Sequence, residues 1–267
     1  MQRRVLITGA GSGLGRALAL RYARAGAAVA CIDLHLERAE ETLSLLSGSG
    51  HCALQADVGS DDSMQALAIA VGERWGGVDV LINNAGIASG GPLLDAPIGE
   101  WREVLEINLL GVVRGCLAFL PGMVERRAGQ VLNIASFAAL AGGPNIMSYG
   151  VAKSGVLTLS EQLRAEMVPH GVTVSVACPA FFPTNLLQSW RGSERMRGFA
   201  ERMMEASSDS LDEVADRLFA AAERGDFLIL PTRKEKGRWR IKRFFPEFYF
   251  RKLVAMTRRK GAERKPE

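Results

Sequence analysis

The sequence predicts an α/β fold: a doubly wound, seven-stranded parallel sheet with helices on both faces, followed by a basic helical tail. Three observations carry this. Short apolar runs alternate with amphipathic stretches through the first 232 residues. The runs are apolar throughout rather than alternately polar, as strands covered on both faces must be. The first run passes through a glycine-rich turn into a helix and then a second run, the order of a right-handed βαβ unit.

Taken in order, residues 4–8 form the first strand and end in glycines. Residues 14–24 have helical spacing, with Leu14, Leu18 and Tyr22 on one face and Arg16 and Arg24 among the polar positions. Residues 27–32 make the second strand, closed by Asp33, and residues 51–58 the third. The fourth, 78–82, is closed by Asn83-Asn84-Ala85-Gly86. Residues 130–135, 172–177 and 227–230 supply the fifth, sixth and seventh, and Pro231 stops the last. Helices are expected at about 36–47, 61–75, 100–126, 148–168 and 211–224. Residues 180–210 read as irregular. They carry Phe181, Phe182, Trp190, Met196, Phe199, Met203 and Met204, which suits a substrate lid. No linker precedes residue 232, so 1–232 reads as one domain and 233–267 as an extension.

Composition narrows the class. With 48% hydrophobic and 23% charged residues over 267 positions, the chain can build a large core without disulfides. Cys31, Cys52, Cys116 and Cys178 form no CxxC pair, and His35, His51 and His170 are scattered, so neither a disulfide framework nor a metal centre is expected. Met1-Gln2-Arg3-Arg4 has the basic start of a leader, but the next apolar run breaks at once into glycines. No apolar run approaches the ~20 residues that span a bilayer, and a cytoplasmic protein is expected. Residues 233–267 hold 14 Lys/Arg and 4 Asp/Glu, a balance of +10; the first 232 residues hold 19 and 25, a balance of −6. The basic character of the chain belongs to its tail.

Thr8-Gly9-Ala10-Gly11-Ser12-Gly13-Leu14-Gly15 joins the first strand to the first helix. Such a turn lets backbone N–H groups and a helix N-terminus approach a pyrophosphate that side chains would block. The strict GxGxxG spacing is absent, and without a Lys-Ser/Thr pair a P-loop is excluded. Asp33, 18 residues after Gly15, stands where a carboxylate accepts hydrogen bonds from adenosine ribose hydroxyls and repels a 2′-phosphate. NAD is therefore expected over NADP, with Arg16 as the nearby cation that could favour a phosphate. Tyr149 and Lys153 stand one helical turn apart on one face. An ammonium there stabilises a phenolate and brings proton transfer toward neutral pH. Ser136, thirteen residues earlier, ends the fifth strand and offers a hydroxyl to the same region.

Together, Thr8-Gly9-x-x-x-Gly13-x-Gly15, Asn83-Asn84-Ala85-Gly86, Asn108, Ser136 and Tyr149-x-x-x-Lys153 resemble, in order and spacing, the short-chain dehydrogenase/reductase family, over about residues 4 to 231. The resemblance implies a Rossmann-type fold. It also implies that Gly9, Ser12, Gly13, Leu14 and Gly15 line the cofactor phosphates and Asp33 holds the adenosine ribose. Asp57 and Val58 would border the adenine, and Asn84, Ala85 and Gly86 would pass beside the cofactor ribose. Lys153 would bind the nicotinamide ribose and tune Tyr149, the acid/base. Ser136 would polarise the substrate carbonyl, and Asn108 would hold a water in a relay to Lys153. Thr184 matches the threonine that contacts the carboxamide. One departure stands out: Cys178-Pro179-Ala180 replaces the family's usual Pro-Gly.

The segments 87–94, 137–147 and 181–204 are largely apolar, with Arg191, Arg195 and Arg197 as the only cation cluster. The resemblance thus implies a small hydrophobic ketone, aldehyde or secondary alcohol as substrate, and pairing of the helices at 100–126 and 148–168 in a homodimer or homotetramer. A second reading is a non-catalytic dinucleotide-binding sensor or scaffold. In the tail, aromatics and cations interleave from Trp239 to Lys252, and Pro246 can begin a helix to about Met256 with Tyr249, Leu253 and Met256 on one stripe. That pattern suits an interfacial helix on an anionic membrane or a helix folded back over the subunit or a partner. Nucleic acid is not expected, because the body is acidic.

Overall fold

The computed structural model describes residues 2–262, with side chains to residue 255. The chain runs through β1 (Arg4–Thr8), α1 (Gly13–Arg24), β2 (Ala28–Asp33), α2 (Leu36–Ser44), β3 (Cys52–Gln55), α3 (Asp61–Trp75), β4 (Val80–Asn83) and the short β5 (Ala88–Gly90). A long helix follows as α4 (Ile98–Leu105), one π-helical turn (Glu106–Leu110) and α5 (Gly111–Arg126). Next come β6 (Gly129–Ile134), α6 (Phe137–Ala141), α7 (Met147–Met167), β7 (Val172–Ala177), β8 (Trp190–Gly192), α8 (Glu194–Glu205), α9 (Leu211–Glu223), β9 (Leu228–Ile229), α10 (Glu235–Phe244) and α11 (Pro246–Ala262).

Seven strands pair in the order β3-β2-β1-β4-β6-β7-β9, every neighbour parallel. This is the doubly wound, Rossmann-like fold the sequence predicts. Its strands are apolar on both faces because both faces are covered. Leu6, Ala30, Leu81 and Val131 point into the layer with α3, α5 and α7. Their neighbours Val5, Ile7, Val29, Val80, Ile82 and Leu132 point into the layer with α1 and α9. Strand order reverses between β1 and β4, which opens a crevice beyond the carboxyl ends of those strands.

Some boundaries shift. The third strand stops at Gln55, leaving Asp57 and Val58 in the turn before α3, where Asp57 Oδ1 accepts from Gly59 N (2.8 Å). The expected single helix at 100–126 is interrupted by the π turn. Ile98–Arg126 is also long and apolar enough, by length and composition, to cross a membrane, contrary to the sequence expectation. Here it is a core helix: Val112, Cys116, Phe119, Leu120 and Met123 are buried, and Arg114 pairs with Asp61 and Glu106. Residues 180–210 are more regular than expected. β8 pairs in parallel with β5, and α8 follows. Met196, Phe199, Ala200 and Met203 recur at helical spacing and carry that helix in the sequence.

The tail forms two helices where one was expected. Lys242 Nζ on α10 donates to Leu140 O (2.6 Å), so α10 is fastened to the end of α6. α11 begins at Pro246 as expected and extends past Met256, whose side chain lies outside the described residues, as do residues 263–267. All four cysteines are free and buried.

Candidate active site

The glycine turn is shaped by backbone contacts that leave no room for side chains. Gly9 has φ 65° and Gly13 φ 49°, in the left-handed region. A Cβ on Gly15 would stand 2.1 Å from Gly9 O, and one on Gly9 would stand 2.9 Å from Ala85 Cα. The segment after β4 is stitched to this turn: Asn84 Nδ2 donates to Thr8 O (2.9 Å), and Thr8 Oγ1 accepts from Asn84 N (3.0 Å) and Ala85 N (3.1 Å). α1 has no acidic residue in its first turn, and the Ser12 side chain makes no capping bond. The helix therefore presents N–H groups and a positive dipole end to the crevice. Thr184 caps the 3-10 turn Asn185–Ser189 and lies over the glycines: a Cβ on Gly13 would be 3.8 Å from Thr184 Cβ. These residues fit a dinucleotide pyrophosphate.

Asp33 ends β2 beside the same turn. Its Oδ2 accepts from Gly11 N (2.9 Å) and its Oδ1 from His35 N (3.1 Å). That fixes the carboxylate and leaves each oxygen a further lone pair for a ribose hydroxyl. Arg16 is engaged elsewhere, paired with Glu41 (2.8 Å) and bonded to Thr42 Oγ1 (3.0 Å) and Gly11 O (2.5 Å). The exposed Arg38, on the first turn of α2, is the cation at this position; a Cβ on Gly11 would meet Arg38 Cβ at 2.6 Å. The sequence reading missed Arg38, although it stands five residues after Asp33 on the helix that follows. Val58 is buried against Gly111 and Asp57 is exposed.

Across the crevice, β6, the π turn and α7 bring the polar residues together. Ser136 caps α6, its Oγ accepting from Ala138 N (3.1 Å). Lys153 is buried and its Nζ donates to Ile134 O (2.9 Å), with Nζ 5.9 Å from the centre of the Tyr149 ring. Asn108 sits on the π turn and holds Ile87 by both ends, Oδ1 accepting from Ile87 N (2.8 Å) and Nδ2 donating to Ile87 O (2.9 Å). Such turns often mark functional sites. Gly86 is the wedge between them: a Cβ there would be 2.7 Å from Asn108 Oδ1 and 3.5 Å from Lys153 Nζ. Asn108 and Lys153 thus meet at the stretch that is stitched to the glycine turn, with Tyr149 beside Lys153.

The electrostatics differ from expectation in one respect. Burial raises the Tyr149 phenol above its ordinary value, and the group that works against this is the Ser136 hydroxyl, not Lys153. Burial also brings the Lys153 ammonium down to about 8. Burial pushes the thiol of Cys178, just past β7, up to about 12, which disfavours the thiolate. Ala180 needs no left-handed backbone and donates its N–H to Thr232 Oγ1 (3.3 Å), so the departure from Pro-Gly is accommodated.

A carboxylate the sequence reading did not single out braces this site from behind. Glu100 Oε1 accepts from Ser89 Oγ (2.5 Å) and from Ser148 Oγ (2.8 Å), and the two hydroxyls are 2.9 Å apart. Ser148 immediately precedes Tyr149. The lid packs nearby: Trp190 lies against Gly90, Phe181 meets Phe199 edge-on at 6.4 Å, and Arg191 pairs with Glu103 (2.8 Å). Arg197 pairs with Glu201 (3.3 Å), so two of the three clustered arginines, Arg191 and Arg197, have carboxylate partners.

The short chain dehydrogenase family model matches residues 3–195. The chain belongs to that family. Among relatives of this short-chain dehydrogenase, the probable oxidoreductase EphD of Mycobacterium tuberculosis is 34% identical over 232 residues, covering 82% of this chain but 39% of the relative. The chain therefore spans about two fifths of the length of EphD. The 2-(R)-hydroxypropyl-CoM dehydrogenase of Xanthobacter autotrophicus is 34% identical over 197 residues, covering 72% and 78% of the two chains. A short chain dehydrogenase/reductase from Burkholderia phymatum, solved in complex with NAD, superposes with a TM-score of 0.86 at 30% identity, covering 92% of this chain and 95% of that one. This chain thus carries the fold and the motif positions of the short-chain dehydrogenase family, whose members bind a nicotinamide dinucleotide.

Proposed function

We propose that this short-chain dehydrogenase uses NAD(H) in preference to NADP(H) to interconvert a hydrophobic ketone or aldehyde and its alcohol, with Tyr149 as the acid/base. The reading rests on one observation: Asn108 and Lys153 meet at Gly86 beside the glycine turn, with the Tyr149 ring next to Lys153 and the Ser136 hydroxyl acting on the Tyr149 phenol. Gly9, Ser12, Gly13, Leu14 and Gly15 would hold the dinucleotide phosphates and Asp33 the adenosine ribose. Asp57 and Val58 would border the adenine, Asn84, Ala85, Gly86 and Lys153 the riboses, and Thr184 the carboxamide. When bound, an oxidised nicotinamide would supply a hydride acceptor and a positive charge. Ser136 would then orient the substrate oxygen, Tyr149 would transfer the proton at that oxygen, and Lys153, through a water held at Asn108, would carry the proton onward. The lid, with two of its arginines paired, favours an apolar substrate.

Asp33 beside the glycine turn supports NAD, while Arg38 offers a 2′-phosphate a partner once the carboxylate is gone. Residues 1–232 carry the chemistry. The working form is a homodimer or homotetramer in the cytoplasm, with the tail as a peripheral contact to an anionic membrane. The test is reduction of NAD by a panel of hydrophobic secondary alcohols. Tyr149→Phe is expected to abolish turnover, by at least about a thousandfold, while NAD binding persists; full turnover in that variant refutes the mechanism, and no turnover in wild type favours a dinucleotide sensor. Asp33→Ala is expected to erode discrimination against NADP; a wild type that already prefers NADP removes the assignment to Asp33.

A further inference from the structure

The tail joins the body at both segments that flank the substrate pocket. Thr232 Oγ1, where the tail begins, accepts from Ala180 N (3.3 Å), at the start of the lid. Arg233 N donates to the buried Asp209 Oδ2 (3.1 Å), at the end of the lid. Lys242 Nζ donates to Leu140 O (2.6 Å), in the segment between Ser136 and Tyr149. α10 is thus fixed beside the pocket. Beyond these fastenings the tail turns apolar side chains to solvent: Ile241, Phe244, Phe245, Phe248 and Phe250 are all exposed, Phe244 to 68%. Ile241 and Phe244 lie on α10, Phe245 at the bend, and Phe248 and Phe250 on α11. Cations border them. Arg238, Arg240, Arg243, Arg251 and Lys252 are exposed; Arg243 lies 5.9 Å from the centre of the Trp239 ring and Lys252 4.7 Å from that of Phe248.

We propose that the exposed aromatic and basic residues of α10 and α11 dock on an anionic phospholipid surface and bring the segment after Ser136, to which α10 is fastened, toward the bilayer. This deepens the membrane reading of the tail given above and is independent of the catalytic assignment. Aromatic rings with basic neighbours seat at the headgroup boundary, rings toward the acyl chains and cations toward lipid phosphates. A second copy of this chain is a poor occupant, because it would bring two tails of balance +10 together.

Full-length protein is sedimented with vesicles of phosphatidylcholine alone or mixed equally with phosphatidylglycerol, at low and high salt. Hydrogen exchange is followed in the bound state. Binding to the mixed vesicles, weakened by salt, is expected, with protection at 241–252 and at 138–147. Phe244→Ser/Phe245→Ser/Phe248→Ser and, separately, Arg240→Gln/Arg243→Gln are each expected to weaken binding by on the order of tenfold or more. Neither should alter dinucleotide affinity, which shows that the variants remain folded. Equal binding to neutral vesicles, unchanged binding by both variants, or tighter binding to a single-stranded oligonucleotide overturns the proposal. Protection confined to the tail overturns the orientation. None of these readouts depends on turnover, so an inactive enzyme leaves the result intact.

Discussion

Lys153 shows how a single side chain is placed for chemistry against its own solvation. Its ammonium lies buried with one carbonyl partner, Ile134 O, and burial lowers it from 10.5 to about 8. The folded value lies below the unfolded one. Between about pH 8 and 10.5 the unfolded chain therefore binds the extra proton, and the folded state gains stability as pH rises through that window. Below it, the penalty for burying the charge is fully present. Lys153→Met removes the penalty and also the bond to Ile134 O. At pH 7 the variant is expected to be more stable than wild type by on the order of 2 kcal/mol, and the gap should shrink and then reverse as pH rises toward 10.5, where only the lost bond remains. Urea denaturation of the dinucleotide-free protein at both pH values measures this, and a pH-independent gap contradicts it. The side chains with a recognisable local signature, Tyr149, Lys153, Asp33 and the glycines, were legible in the sequence. Arg38 and Glu100 were not, because what gives them meaning is a neighbour 27 or more positions distant for Arg38 and 11 and 48 positions distant for Glu100.

At the scale of elements, Glu100 ties three of them together. It stands on α4, and its carboxylate gathers Ser89 of β5 and Ser148 of α7. Because β5 also pairs with β8, the same carboxylate links the lid to the helix that presents Tyr149. Glu100→Ala leaves two buried hydroxyls short of an acceptor and is expected to lower kcat about tenfold or more, with a smaller change in KM. Glu100→Gln keeps an acceptor oxygen and should restore most of the loss. Steady-state kinetics of the pair decide it; equal effects of the two substitutions argue against a positioning role. Most of the seven main strands were legible as short, largely apolar runs between helical stretches. The β5–β8 pair was not, because three-residue strands carry no periodicity and their pairing joins residues about a hundred positions apart. The π turn likewise leaves no pattern in Glu106–Leu110 that distinguishes it from α-helix.

At the scale of the molecule, the long helix Ile98–Arg126 has two faces with different fates. One is buried against the sheet and α3. The other leaves Leu117 71% exposed and Leu110, two turns earlier, 41% exposed, with Val151 of α7 also exposed. Such apolar surface is suited to a second subunit. Leu117→Asp is expected to weaken self-association at least about tenfold, by burying an unpaired carboxylate in the contact; sedimentation velocity over a concentration series checks this, and an unaltered oligomer places the contact elsewhere. The layered architecture was legible because composition, strand patterning and the glycine turn agree. The course of the tail was not, because its charged sequence gives no apolar seam to mark where α10 lies, and a single lysine-to-carbonyl bond fastens it to α6.

The four buried thiols carry one more consequence. Cys31 lies on β2, Cys52 on β3, Cys116 on α5 and Cys178 just past β7, and burial raises the pKa of all four. A thiol in that state reacts with an alkylating reagent only after its surroundings open. The native chain therefore contains four built-in clocks for local unfolding, spread from one side of the sheet to the other, and the order in which they are labelled would report which part of the molecule breathes first.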